Sequence, residues 1–412
     1  MTRSPDPELP VDDILEALEL PRAEPGIGYL ERLFTRFNDR VPFETASKIL
    51  RDREVADPAD KPRWPEVFWA DHLESGTGGT CFARVAAFGA LLTDLKFPTR
   101  KLLGKVLSEF DHAALAVRLD GREWLCDVGF PLPALVPLAE GETETGLAAM
   151  RLSRAARGLR VELAGGVPEG PRALEIFDEA VAEESFTRRW IETFRPDSKF
   201  LTAISLRRQT ESRAVSFARG ELRVDDLHSR TRIPVQSSRA AALAGVFGVE
   251  KDLLARAFAF TGDPEPEISR AELTVFLAAG DEPEAAWRAI ASPEGYGRLM
   301  EGAARVVASE PAGQGWSISL EPPESGAPGS GARFEETLHA DPAGLSLEVR
   351  RGGQTSYYEA ARKEGAAYLI RRAILPGAGE DLLRNDSLRG RLAGTLAVDL
   401  LAWARLLGKS KV

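Results

Sequence analysis

Asp120-Gly121 stands between two segments of alternating hydrophobicity, HAALAVRL and REWLCDVGF. A two-residue Asp-Gly loop favours a turn whose twist matches that of the flanking strands, so it specifies a hairpin and its register together. With those two residues as the loop, Leu119 pairs with Arg122, Arg118 with Glu123 and Val117 with Trp124. Continuing the register places Ala114 opposite Asp127, and His112, two residues along, on the same face as Asp127. Diagonal neighbours of this kind have Cβ atoms about 7–8 Å apart, a gap that an imidazole and a carboxylate can close. The same register sets Arg118 and Glu123, opposite charges, on that face.

Cys81 lies in SGTGGTCFARVAAFGALL, directly after a glycine cluster. Phe82, Val85, Gly89 and Leu92 mark one stripe, and Phe88, Leu91 and Leu95 widen it, so the spacing predicts a helix from about Cys81 to Leu95. The sulfur then sits in the first turn, where the positive end of the helix dipole favours thiolate over thiol. The glycines permit close backbone approach and can present N–H groups to an oxyanion. Position alone does not decide this, since a small buried hydrophobe is the commoner fate of a free cysteine. A thiol heading a helix, with a base and an orienting acid on one hairpin face, is the set of groups that Cys–His–Asp catalysis requires.

Other chemistries lack their residues. The two cysteines, Cys81 and Cys126, form no CxxC, and period-2 alternation points Cys126 away from Asp127 as a packed thiol. The remaining histidines, His72, His228 and His339, show no HExxH spacing, and GxxxxGK[ST] is absent, so neither a metal centre nor a P-loop is expected. The net charge is −10, which argues against a general nucleic-acid or anionic-membrane binder. The longest uncharged stretch, Val128 to Ala139, contains three prolines and is too short to span a bilayer. The start MTRSPDPELP lacks a secretory apolar core, so a cytoplasmic location with reduced thiols is expected.

The order of patterns divides the chain. Residues 1–97 read as mostly helical and 98–223 as short alternating strands, and a helical pair, SSRAAALAGVFG and KDLLARAFAF, follows within 224–262. TGDPEPE, Thr261 to Glu267, reads as a linker. Residues 268–412 read as strand, helix, several strands around the loop EPPESGAPGSG, and a long amphipathic helix with Leu388, Leu392, Leu396, Leu400, Trp403 and Leu407 on one stripe.

The motifs resemble those of the arylamine N-acetyltransferase family. Gly78, Gly79, Cys81 and Phe82 match part of its nucleophile motif. His112 and the run Trp124, Leu125, Asp127, Val128, Gly129, Phe130 match its histidine strand and the strand after it. Pro42, Phe43 and Glu44 match its Pro-Phe-Glu-Asn motif, and Pro196, Ser198 and Phe200 a later stretch. The matches run in order over about residues 8 to 262 and continue to GVFGV near Gly245.

The resemblance implies an α+β fold: an N-terminal helical bundle (1–97), a β-barrel (98–223) and an α/β lid (224–262) around a cysteine-protease-like core. It also implies Cys81 as acylated nucleophile, His112 as base, Asp127 as orienting acid, and Phe43 and Phe130 lining an acceptor pocket. The implied reaction moves an acetyl group from acetyl-CoA, or another acyl thioester, to a small-molecule amine such as an arylamine or hydrazine, without a metal. Thr77, Ala83, Val85 and Pro131 depart from the family pattern, and Glu44 loses the motif arginine as partner. These departures favour one alternative, an amide synthase using a larger acyl thioester; another is a non-catalytic ligand-binding protein on the same scaffold with the C-terminal domain as its sensor, against which the intact triad counts. The order of elements in 268–412 resembles START-like helix-grip domains, which implies an apolar ligand between sheet and helix.

Overall fold

The computed structural model describes residues 9–164, 172–179, 181–235, 240–262, 266, 268–279, 283–300, 305–312, 315–321, 334–352, 354–363, 366–375, 378, 381–382 and 385–407. Two units emerge: Met1–Leu227 with Val235–Glu267, and His228–Pro234 with Ile268–Val412. Most of the expected linker (263–265 and 267) and most of the loop after Glu321 lie outside the described residues.

The first unit begins with helices α1 (Val11–Ala17) and α2 (Ile27–Arg40), strand β1 (Phe43–Glu44), and helices α3 (Ala46–Glu54), α4 (Pro65–Ser75) and α5 (Cys81–Asp94). α2 buries Leu30, Leu33, Phe34 and Phe37, a stripe at helical spacing. α4 starts with Pro65 in its first turn, where a missing N–H costs nothing, and ends at Gly76, whose φ of 64° is left-handed. α5 is buried at every position from Cys81 to Gly89, so it is the central helix of this core rather than a surface one.

Eight strands follow: β2 (Thr99–Lys105), β3 (Glu109–Leu119), β4 (Arg122–Cys126), β5 (Val136–Pro137), β6 (Gly141–Glu144), β7 (Ala149–Ala155), β8 (Gly158–Ala164) and β9 (Arg172–Phe177). They form one sheet in the order β5-β4-β3-β2-β9-β8-β7-β6. Asp120 and Gly121 both have positive φ, 50° and 75°, as a two-residue hairpin turn of this kind demands. The expected pairs Leu119↔Arg122, Arg118↔Glu123 and Val117↔Trp124 are present, and the ladder runs to Leu115↔Cys126, one pair short of Asp127. Glu123 takes a bidentate ion pair from Arg100 at 2.8 Å on β2. The unit closes with α6 (Glu183–Glu192), β10 (Leu206–Gln209), β11 (Arg213–Ala218), β12 (Glu221–Asp226), α7 (Ala240–Phe247) and α8 (Lys251–Thr261). β1 adds to β10 in an antiparallel ladder, Phe43↔Arg207 and Glu44↔Leu206.

The second unit is an antiparallel sheet in the order β13-β14-β20-β19-β18-β17-β16-β15. Its strands are β13 (Ser229–Pro234), β14 (Ala271–Ala279), β15 (Arg305–Ala312), β16 (Gly315–Glu321), β17 (Phe334–Asp341), β18 (Ser346–Arg351), β19 (Gln354–Lys363) and β20 (Ala366–Leu375). Helices α9 (Pro283–Arg288) and α10 (Pro293–Leu299) follow β14, and a long helix, Asp386–Leu406, packs on β14 and β20. That helix buries Leu396, Leu400 and Trp403, and the Trp403 indole donates to the Ala286 carbonyl at 2.9 Å. β13 lies within the segment 224–262 that the sequence reading places in the lid. It pairs with β14, Ser229↔Val275 through Arg232↔Glu272, and belongs to the second unit. Among the described residues no helix is long and apolar enough to cross a membrane.

Gly76 gives a direct test of how the first unit is held. A Cβ there would overlap the Gly248 carbonyl, and the backbone is already left-handed. Gly76→Ala is expected to cost about 1–3 kcal/mol of stability, read by urea denaturation. An unchanged midpoint would show that this approach is not tight.

Candidate active site

The residues around Cys81 are placed by a close approach of two backbones. β1 passes so near the segment before α5 that a Cβ on Gly78 would overlap the Pro42 carbonyl. Phe43 bridges Gly79 in parallel, the Glu44 N–H donates to the Gly79 carbonyl at 3.2 Å, and the Gly79 N–H to the Pro42 carbonyl at 3.4 Å. Glycine is required at 78 for this geometry. The chain then turns into α5 at Cys81, which is buried, with its Sγ 3.7 Å from the Asp111 carbonyl.

His112 and Asp127 are both buried, and the imidazole Nε2 lies 2.8 Å from Asp127 Oδ2. The other carboxylate oxygen accepts the Phe130 N–H at 2.8 Å. Asp127 is therefore fixed at both oxygens and holds the imidazole through Nε2, which leaves Nδ1 unclaimed by the carboxylate. Gly129 makes the juxtaposition possible: a Cβ there would fall 2.8 Å from Cys81 Cβ and 3.1 Å from His112 Cε1. Burial alone would lower the His112 pKa. The Asp127 charge, its hydrogen bond and the Cys81 side chain outweigh burial and raise it to about 10. The proton thus resides on His112 at neutral pH.

A cavity of about 1000 Å³ opens over this group, lined by Cys81, His112, Phe43, Phe130, Phe110 and Phe200 among others. Four of the five residues singled out in the sequence face it, and Asp127 stands behind His112. Phe43 packs edge-on against Phe200 at 5.7 Å, and Phe130 stands perpendicular to His112 at 6.4 Å between ring centres. Cys126 is buried, and burial pushes its thiol well above the ordinary range. Among the described residues no group of three His, Cys, Asp or Glu side chains could hold a metal ion.

Two buried arginines complete the site and were not singled out in the sequence. Arg63 donates to Thr77 Oγ1 and Asp71 Oδ2, each at 3.0 Å, and to the Gly78 carbonyl, and lies 3.7 Å from Glu44 Oε1. It is the partner that Glu44 lacks in the sequence motif. Arg84, three residues after Cys81, donates to the Val128 carbonyl at 2.6 Å, to Asn38 Oδ1 at 2.8 Å and to the Val41 carbonyl. Burial pushes its pKa down, while negative charge at Asp127, Glu44 and Cys81 holds it up. The only forewarning was a charged residue inside the otherwise apolar helix α5. Arg63 sits in a loop without periodicity and gave no signal. His72 supports the same segment, with Nδ1 2.9 Å from the Thr77 carbonyl.

The raised His112 pKa carries a stability consequence. Its ordinary value is near about 6.5, so the folded state binds this proton more tightly than the unfolded chain. The resulting stabilisation is full below about pH 6.5 and is lost as pH rises through about 10. The stability difference between the native chain and Asp127→Asn, measured by denaturation from pH 6 to 10, is therefore expected to narrow steadily with rising pH. A difference that stays constant or widens would contradict the ion pair.

The family model for N-acetyltransferase matches residues 27–250, over half of the 412. The chain is 32% identical over 107 residues to proansamycin X synthase of Amycolatopsis mediterranei, covering 24% of this chain and 40% of that protein. It is 31% identical over 112 residues to the arylamine N-acetyltransferase of Escherichia coli, covering 26% of this chain and 37% of that protein. The chain thus spans about 40% of the length of the curated relatives it matches. The arylamine N-acetyltransferase of Mycobacterium marinum, solved in complex with CoA, shares the fold with a TM-score of 0.53 at 20% identity, over 60% of this chain and 97% of that one. The chain belongs to the N-acetyltransferase family, a family of enzymes.

Proposed function

We propose that this chain is an acyltransferase that moves an acetyl group from acetyl-CoA to a small-molecule amine through a thioester on Cys81. The observation that carries the reading is the buried His112–Asp127 pair beside a thiol that faces a large cavity. Cys81 sulfur attacks the thioester carbonyl, and the tetrahedral intermediate expels the CoA thiolate, which takes the proton held on His112. An amine then attacks the Cys81 thioester, His112 accepts its proton, and the amide leaves as the Cys81 sulfur is released. Asp127 keeps the imidazole oriented and stabilises its charged form. Phe43 and Phe130 supply aromatic surface for the acceptor. The CoA complex of the M. marinum neighbour supports the donor.

One observation favours a second reading. A cavity of about 1000 Å³ far exceeds what an acetyl group needs, and one curated relative is a proansamycin X synthase. An amide synthase with a larger acyl thioester would use the same three residues.

We further propose that the unit containing residues 268–412 is a START-like helix-grip domain for an apolar ligand, while every residue of the acyl transfer lies in the first unit. The sheet and the long helix packed on β14 and β20 support this assignment.

Intact-protein mass spectrometry after mixing with acetyl-CoA is expected to show one acetyl group per chain, on Cys81. Cys81→Ala is expected to show none, and Asp127→Asn to slow acylation by about 10²–10⁴-fold. Acylation by a bulky acyl thioester and none by acetyl-CoA would select the amide synthase reading. No acylation by any thioester would reject both.

A further inference from the structure

The strand that carries His112 is irregular immediately before it. β2 and β3 pair in regular order from Thr99↔Val117 to Gly104↔His112, and the next pair is Lys105↔Glu109. Phe110 and Asp111 therefore fall outside the ladder and form a bulge beside the base, a device that re-aims groups next to an active site. Phe110 has a φ of 62°, in the left-handed region that a bulky residue seldom enters. Its ring packs edge-on against Phe177 at 5.3 Å, and the Arg157 and Arg189 guanidiniums stand 4.9 and 4.4 Å from its centre. The bulge turns the Asp111 main chain out of the sheet. Its N–H donates to the Ser108 carbonyl at 3.2 Å, and its carbonyl faces Cys81 Sγ at 3.7 Å.

The side chain of Asp111 holds this arrangement. Oδ1 accepts the Val106 N–H at 2.8 Å, and Oδ2 accepts the Leu107 and Ser108 N–H groups at 3.0 and 2.8 Å. The Ser108 hydroxyl donates to Oδ2 at 3.3 Å. Hydrogen bonds from main-chain N–H groups to a carboxylate are charge-assisted and strong. Strained backbone persists only where its surroundings over-determine it, and three such bonds close the bulge on the loop before it. The carboxylate that grips the loop and the carbonyl that meets the sulfur belong to one residue. The grip on Val106–Ser108 therefore reaches Cys81 through a single stretch of main chain.

We propose that Asp111 is a positioning residue for the nucleophile: its carboxylate fixes the bulge, so that its carbonyl confines the Cys81 sulfur to the orientation from which it meets a bound thioester. The proposal deepens the acyl-transfer reading above and rests on it. Attack on a bound carbonyl needs the sulfur in one direction, and a misplacement of about 1 Å can cost about 100-fold in rate. A small alkylating reagent that tumbles freely in a cavity of about 1000 Å³ makes no such demand. Loss of the carboxylate therefore separates the two reactions of the same sulfur.

The test uses the full chain and follows two reactions of Cys81 by mass spectrometry: single-turnover acetylation over a range of acetyl-CoA concentrations, and alkylation by iodoacetamide. Asp111→Ala is expected to lower the limiting rate of acetylation by about tenfold or more. The half-saturating acetyl-CoA concentration is expected to stay within about twofold of the native value, and the alkylation rate within about threefold. Asp111→Asn keeps the side-chain volume but can accept through only one oxygen, so at least one of the three N–H bonds is lost. It covers the case in which the alanine variant does not fold, and is expected to show a smaller loss of the same kind. Urea denaturation reports that each variant is folded under the assay conditions. Equal losses of acetylation and alkylation, a change confined to the half-saturating concentration, or a native limiting rate in the folded variants would overturn the proposal. If acetyl-CoA does not acylate the native protein, the acyl-transfer reading fails first and the inference falls with it.

Discussion

Everything in the site is arranged around a single charged hydrogen bond in a dry place, His112 to Asp127. Both groups are out of water, so neither would hold its charge alone. Paired, they raise the imidazole's affinity for a proton and fix which nitrogen the carboxylate holds. The bond exists because Gly129 lets the turn after β4 slip between Cys81 and His112, and because the Phe130 N–H occupies the second oxygen of Asp127. A side chain at 129 would push the nucleophile and its base apart.

Two guanidiniums carry that arrangement to the surrounding helices. Arg84 ties α5 to the carbonyl of Val128, next to Asp127, and to the carbonyl of Val41 and the side chain of Asn38 on the other flank. Arg63 ties the glycine segment before Cys81 to the base of α4. Bonds from buried charge to backbone carbonyls are strong and costly to leave unmade. The segments bearing Cys81, Phe43 and Asp127 are therefore locked to one another at their main chains, and side-chain geometry follows.

The hairpin was legible because its information is local. An Asp-Gly turn sets the twist, the register follows, and the register brings His112 to the side of Asp127. Cys81 was legible for the same reason, since glycines and an apolar stripe define a helix start. The roles of Arg63 and Arg84 were not legible, because their partners are main-chain carbonyls and side chains from other elements, and such contacts leave no periodicity. Arg118 and Glu123 show the limit of register alone: they stand opposite, yet Glu123 turns to Arg100 on the neighbouring strand, where the guanidinium meets it with two bonds. The strand Ser229–Pro234 was not legible, since the sequence of residues 224–262 shows only a helical pair and the ladder to β14 is a contact between distant segments.

The central claim is that the proton rests on His112 because Asp127 holds it there. The direct measurement is the titration of the His112 ring, followed by nuclear magnetic resonance with labelled histidine from pH 5 to 11. The ring is predicted to stay protonated through neutral pH and to release its proton near pH 10 in the native chain, and well below that in Asp127→Asn. A ring that titrates near about 6.5 in both proteins, the ordinary value for histidine, would contradict the account.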